Sequence, residues 1–129
     1  MKYELPDVLP LLRPKAEWEA RATQEDGYLY SNLVWVDKDQ SKPTESEINN
    51  KIADMDAAEP VRQLREHRDR LLAECDWVVV KAQETGTTIS TNWKTYRQAL
   101  RDLPANSTPK LDSSYYLDPT SVTWPTKPS

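Results

Sequence analysis

The sequence predicts a mainly α protein: an antiparallel helical hairpin with an upstream helix, a small N-terminal β element and Pro-rich extended ends. Three observations predict it. Two apolar stripes of matching length, Val61-Leu64-Arg68-Leu71-Cys75 and Ile89-Trp93-Tyr96-Leu100-Leu103, repeat at alternating three- and four-residue spacing and are joined by a short connection. There are 10 prolines against 2 glycines, and most of the prolines stand near the two ends. Only 37% of residues are hydrophobic and the mean hydropathy is −0.82, so a compact core involves part of the chain and the rest is solvated or borrows burial from a partner.

Taken in order, Pro6, Pro10 and Pro14 recur every four residues with Leu5, Val8, Leu9, Leu11 and Leu12 between them. Prolines at that interval argue against a regular helix. An extended arm with an apolar edge is expected, with Leu9 and Leu12 facing a partner. Lys15 to Ala22 reads as a short helix. Tyr28 to Val36 reads as strand after the Asp26-Gly27 turn signal. A second turn at Ser31-Asn32 would fold Tyr28–Tyr30 onto Leu33–Val36. A lone hairpin is marginal in water, so this one calls for a partner sheet from another copy or another protein.

Asp37 to Pro43 is polar and turn-like. Thr44 with Glu47 three residues on is a capping box, and Ile48, Ile52 and Met55 form one stripe of the upstream helix, near 44 to 59. The stripe changes phase across Pro60. Two short helices or one kinked helix both fit, and Glu59-Pro60 favours a break. Asp76-Trp77 ends the next stripe, and the β-branched run Val78-Val79-Val80 breaks its pattern. Gln83 to Thr88 is a polar loop, Ser90 or Thr91 caps the following helix, and Pro104 stops it. The hairpin near 61 to 104 is expected to bury Leu64, Leu71, Trp93, Tyr96 and Leu100, with Trp77 covering its end. Beyond it, no period persists. Tyr115, Tyr116, Val122 and Trp124 find no local core there and are expected to anchor a partner. The division expected is an arm with a β element over 1–42, a hairpin domain over 43–104 and a tail over 105–129.

Enzymatic chemistry finds little support. His67 and Cys75 lie eight residues apart, ~12 Å along a helix by the standard rise, too far to share a metal or form a nucleophilic pair. His67 reads as a solvated helix residue and Cys75 as a small buried hydrophobe. Asp54/Asp56 and Glu66/Asp69 suit a solvated helix face better than catalysis. Two isolated glycines cannot build a phosphate loop. No cofactor, metal or small-molecule substrate is expected. Asp76 reads as structural, bridging to an Arg such as Arg97 or Arg101 or to an indole N–H.

The net charge is −4 and the pI about 5.0. The densest basic stretch, Arg62 to Arg70, is interleaved with Glu66 and Asp69, which argues against a nucleic-acid partner. The longest apolar run, Trp77 to Val80, is far too short to span a membrane. One cysteine and no apolar leader point to a reducing cytoplasm.

The stretch Arg65-Glu66-His67-Arg68-Asp69-Arg70-Leu71-Leu72-Ala73-Glu74-Cys75-Asp76-Trp77, followed by Trp93-Lys94-Thr95-Tyr96-Arg97-Gln98-Ala99-Leu100-Arg101-Asp102-Leu103-Pro104, resembles the phage tail-assembly chaperone family. The closing Val122-Thr123-Trp124-Pro125-Thr126-Lys127-Pro128 is similar to the tails of these proteins, and Pro43-Thr44-Glu45 with Glu47-Ile48 to their upstream helix start. The resemblance covers roughly residues 43–128; residues 1–42 match nothing. It implies a non-enzymatic protein of the host cytoplasm that binds a phage tail-fibre protein and assists its folding or trimerisation, with a homo-oligomer as a further option. The alternative is a virion structural protein, a tail-fibre or baseplate adaptor that stays in the particle. A peptide-binding regulatory module ranks below both.

Overall fold

The capping box at Thr44 forms as the sequence predicts. Thr44 Oγ1 accepts the Glu47 N–H at 3.1 Å, while the Glu47 carboxylate accepts the Thr44 N–H at 2.9 Å. In the computed structural model, which describes residues 2–129, that box opens the longest helix of the chain. The described residues hold helices α1 (Leu5–Leu12), α2 (Glu45–Glu74), α3 (Asp76–Thr85) and α4 (Thr91–Asp102). They also hold four two-residue strands: β1 (Trp18–Glu19), β2 (Ala22–Thr23), β3 (Gly27–Tyr28) and β4 (Val34–Trp35). The protein is mainly α. The chain divides into two compact units, 1–58 and 59–129, and α2 contributes to both.

In the first unit, α1 stands where an extended arm was expected. Pro6 sits in the first turn, where the missing N–H has no helical partner to lose. Pro10 lies inside the helix and costs one ladder bond. Burial of Leu5, Val8 and Leu9 outweighs that loss in a single cluster with Leu33 and Ile48. The start is fixed by the Glu4 N–H donating to Asp7 Oδ2 at 2.8 Å and the Tyr3 N–H to Asp56 Oδ1 at 3.3 Å.

Residues 15–22 are not a helix, and the expected pairing of Tyr28–Tyr30 with Leu33–Val36 does not form. Instead β2 pairs antiparallel with β3 (Ala22 opposite Tyr28), and β1 pairs antiparallel with β4 (Trp18 opposite Trp35). The chain supplies the partner strand from 18–23, so none is needed from another molecule. Gly27 adopts φ +67, as the Asp26-Gly27 turn requires. Ser31-Asn32 lies in a 3₁₀ turn over Tyr30–Asn32. Strands this short rely on further ties. Asp37 provides several: its carboxylate accepts the N–H groups of Glu17, Asp39 and Gln40. Those donors hold its pKa below the ordinary carboxylate value, Asp39 contributing most.

The second unit begins beside Pro60, where α2 continues unbroken. Side chains brace the turn that carries the proline. The buried Glu59 carboxylate takes a bidentate pair from Arg62, Nη2 at 2.7 Å and Nε at 2.8 Å, and a bond from Gln63 Nε2 at 3.0 Å.

The helical ladder does break at Cys75, which has φ −114° and ψ 12°. There α2 hands over directly to α3, which runs through Val78-Val79-Val80, where the helical pattern was expected to break, and into the start of the loop expected over Gln83 to Thr88. Helix propensity varies by only a few tenths of a kcal/mol among these residues, so burial of Val78 beside Cys75 overrides the β-branched run. Gly86, at φ +66, closes α3 with its N–H on the Ala82 carbonyl. Ser90 then caps α4, its Oγ accepting the Trp93 N–H at 3.4 Å.

α4 runs antiparallel to the second half of α2. Leu64 shares a cluster with Leu103, Arg68 Nη1 donates to the Arg101 carbonyl, and Arg97 reaches Leu72 and Asp76, so numbers rise along one helix as they fall along the other. The tail past Pro104 does not project outward. Val122 is buried against Leu64 and Leu103, flanked by Leu117 and Trp124. The helices leave this cluster uncovered without the tail, which supplies the local core that the sequence did not reveal.

Candidate partner-binding surface

The surface is built on the α2–α4 pair. At their shared end stands a cross-helix clamp centred on Arg97. Because the ladder tightens at Cys75, the Leu72 carbonyl accepts the Cys75 N–H at 3.2 Å and still has a lone pair for Arg97 Nη1 at 3.1 Å. The same nitrogen lies 2.9 Å from Cys75 Sγ, and Nη2 pairs with Asp76 Oδ1 at 3.0 Å. Burial works against the charge of Arg97, yet its bonds to Cys75 and Asp76 outweigh that and hold its pKa above the ordinary value. Tyr96 is buried beside it, and burial, with Cys75 and Glu74 adding, pushes its hydroxyl pKa up. Arg101 instead bonds Gln98 within α4.

The residues expected in the hairpin core fall into three settings. Leu64, Tyr96 and Leu100 are buried; Leu71 and Trp93 are half-buried against the core. Trp77 lies 54% exposed on the first turn of α3, next to exposed Val80. It does not cover the hairpin end, because α3 follows at once and turns the indole outward. Its ring meets Trp93 edge-on at 5.9 Å, and Trp93 meets Tyr96 in the same way.

The residues expected to anchor a partner separate as well. Leu9 is buried in the first unit and Leu12 half-buried there, so neither stands free on an extended arm. Val122 is buried and Trp124 half-buried, its ring 4.6 Å from that of His67. His67 is thereby half-covered where a solvated residue was expected. Tyr115 and Tyr116 remain outside, at 42% and 67% exposure. They occupy the tip of a loop closed by an antiparallel bridge between Leu111 and Leu117. The terminal segment Pro125 to Ser129 and the Trp93, Tyr96 and Ala99 side of α4 line a shallow groove of about 460 Å³.

Sequence reasoning missed Gln63. Its Nε2 donates to the Tyr115 carbonyl at 2.9 Å and its Oε1 accepts the Leu117 N–H at 2.7 Å, fastening the loop to α2. Nothing in its spacing signals this, since these two partners are backbone atoms more than fifty residues away.

Among the described residues no three His, Cys, Asp or Glu side chains gather to hold a metal, and no helix is long and apolar enough to cross a membrane. What the second unit presents is aromatic surface on a rigid frame: the tyrosine tip on one loop and Trp77 with Val80 on α3.

The sequence of that unit decides the family. A family model described as phage tail assembly chaperone protein matches residues 61–129, more than half of the chain. This chain belongs to that family. The match spans nearly all of the second unit and none of the first. A search of curated proteins and one of solved structures each gave no match. Membership in the phage tail assembly chaperone family implies a non-enzymatic role. It also gives the exposed aromatics of the second unit a context, since a chaperone acts through contact with another protein.

Proposed function

We propose that this assembly chaperone binds a phage tail-fibre protein in the host cytoplasm and assists its folding or trimerisation by shielding apolar surface until assembly is complete. The observation that carries this reading is the Tyr115-Tyr116 tip, held outward on a fixed loop inside the family-matched segment. Tyrosines present large amphipathic area at small conformational cost and are enriched where proteins meet. Trp77 and Val80 offer a second apolar contact on the same unit. The contacts are apolar and aromatic, with no cofactor and no turnover.

The test is co-expression with the tail-fibre protein of the same phage. The fibre is expected to be soluble only with the chaperone present, and purified particles are expected to lack it. A fixed stoichiometry in purified particles would instead make it a structural component of the tail. A fibre whose solubility and binding ignore the chaperone would refute the proposal.

A further inference from the structure

The loop over residues 110–118 is tied together by its own hydrogen bonds around Asp112. The Asp118 N–H donates to the Lys110 carbonyl at 2.8 Å and the Asp112 N–H to the Tyr116 carbonyl at 2.7 Å. The Asp112 carboxylate accepts the N–H groups of Ser114 at 2.8 Å and Tyr116 at 3.1 Å. The Tyr115 N–H reaches the Asp112 carbonyl at 3.0 Å. Gln63 then takes the Tyr115 carbonyl and the Leu117 N–H together.

Two consequences follow. Tyr115 has φ +64°, a left-handed conformation that a bulky residue holds only where its surroundings over-determine it. Bonds on both sides of its peptide, from Asp112 and Gln63, provide that constraint. At the two tyrosines themselves the N–H and carbonyl of both residues are engaged, by Asp112 and Gln63, so a partner meets Tyr115 and Tyr116 through their side chains. What remains available is side chain, above all the ring of Tyr116.

We infer that the 110–118 loop is a preformed recognition tip that meets its partner through the side chains at 115–116, above all the ring of Tyr116, that it fits a concave, apolar pocket of the tail protein, and that Gln63 is its positioning residue. The inference deepens the proposed function and rests on it for the identity of the partner. A preformed tip binds without the cost of ordering a loop, and a convex aromatic knob requires a pocket that buries the ring.

The test uses the full chain and Gln63→Met, which keeps length and helix propensity in α2 but removes both bonds to the loop; its bond to Glu59 is lost as well, while the Glu59 carboxylate keeps its pair with Arg62. In the free protein, the Tyr116 and Leu117 amides are expected to exchange slowly with solvent, and at least ~10-fold faster in the variant. Exchange at the rate of an unstructured peptide in the unmodified chain, or no response to Gln63→Met, would overturn the preformed tip without any partner. Binding is then measured against the purified tail-fibre protein. Tyr116→Ala is expected to weaken it about thirtyfold and Gln63→Met on the order of tenfold. The double variant is expected to bind no more weakly than Tyr116→Ala alone, because Gln63 acts through the tip. Losses that multiply would give Gln63 a separate role and overturn its positioning one. If Tyr116→Ala binds like the unmodified chain while the amides respond as expected, the tip is ordered but is not the partner surface. That result leaves the chaperone reading to the co-expression experiment.

Discussion

The two units of this chain solve the same shortage of apolar residues in different ways. The first, over 1–58, builds its cluster from α1, Leu33 and Ile48, and secures four minimal strands with side-chain bonds to the backbone. Asp37 gathers three N–H groups, Tyr30 donates its hydroxyl to the Pro43 carbonyl at 2.8 Å, and the Trp35 indole donates to the Gln40 carbonyl at 2.8 Å. The second, over 59–129, packs α4 on α2 and completes the cluster with an irregular tail. Its most exposed aromatics, Trp77 and Tyr116, are large rings left outside a core that already closes. The difference teaches that low overall hydrophobicity here does not mean missing structure. Apolar residues have been spent on two small cores, and the surplus aromatic surface is concentrated in the unit that carries the family match.

The comparison breaks first at the cores. Leu64→Ala and Leu9→Ala each empty a fully buried position and are expected to cost about 2–5 kcal/mol. Hydrogen exchange followed along the chain should show the Leu64 loss in α4 and the tail, and the Leu9 loss in α1 and the strands. Equal loss everywhere from either substitution would mean that the two clusters do not act separately.

A smaller effect is expected at the clamp. Arg97→Met keeps the packing but removes the donor from the Leu72 carbonyl and from Asp76. Asp76 is 63% exposed, so the ion pair itself is largely screened and most of the cost falls on the carbonyl. A destabilisation of about 1–3 kcal/mol is expected by denaturant titration. A variant as stable as the unmodified chain would show that α2 and α4 need no clamp.

The smallest effect is a pH dependence in the first unit. Folding lowers the Asp37 pKa beneath its usual 3.8. The unfolded chain therefore binds this proton more readily than the folded one. Its contribution is complete above that value and fades as pH falls through the lower folded value. Asp37→Asn is expected to flatten the acid limb of the β-element melting curve; an unchanged limb would assign the acid sensitivity elsewhere.

Where the sequence spoke through local chemistry, it was legible. The Thr44/Glu47 box, the Ser90 cap, the Asp26-Gly27 turn and the stripe through Trp93, Tyr96, Leu100 and Leu103 each depend on residues within a few positions of one another. Three of the misreadings lie where distant contacts overrode a local rule. Prolines argued against α1, but Val8 and Leu9 lose all exposure inside their cluster. The three valines argued against α3, yet Val78 closes over Cys75. The tail showed no period because its order comes from Val122 docking on Leu64 and from Gln63 holding Tyr115 and Leu117. The tyrosines could be named from composition; the loop that aims them could not.

The most direct test places one exposed residue from each unit side by side. Soluble tail-fibre protein is measured on co-expression with the unmodified chain, with Val34→Thr on β4, and with Tyr116→Ala on the tip. Both positions are exposed, so neither change should alter folding by more than about 0.5 kcal/mol. The account predicts full fibre recovery with Val34→Thr and a marked loss with Tyr116→Ala. Recovery lost with Val34→Thr and kept with Tyr116→Ala would place the partner surface in the first unit and contradict it.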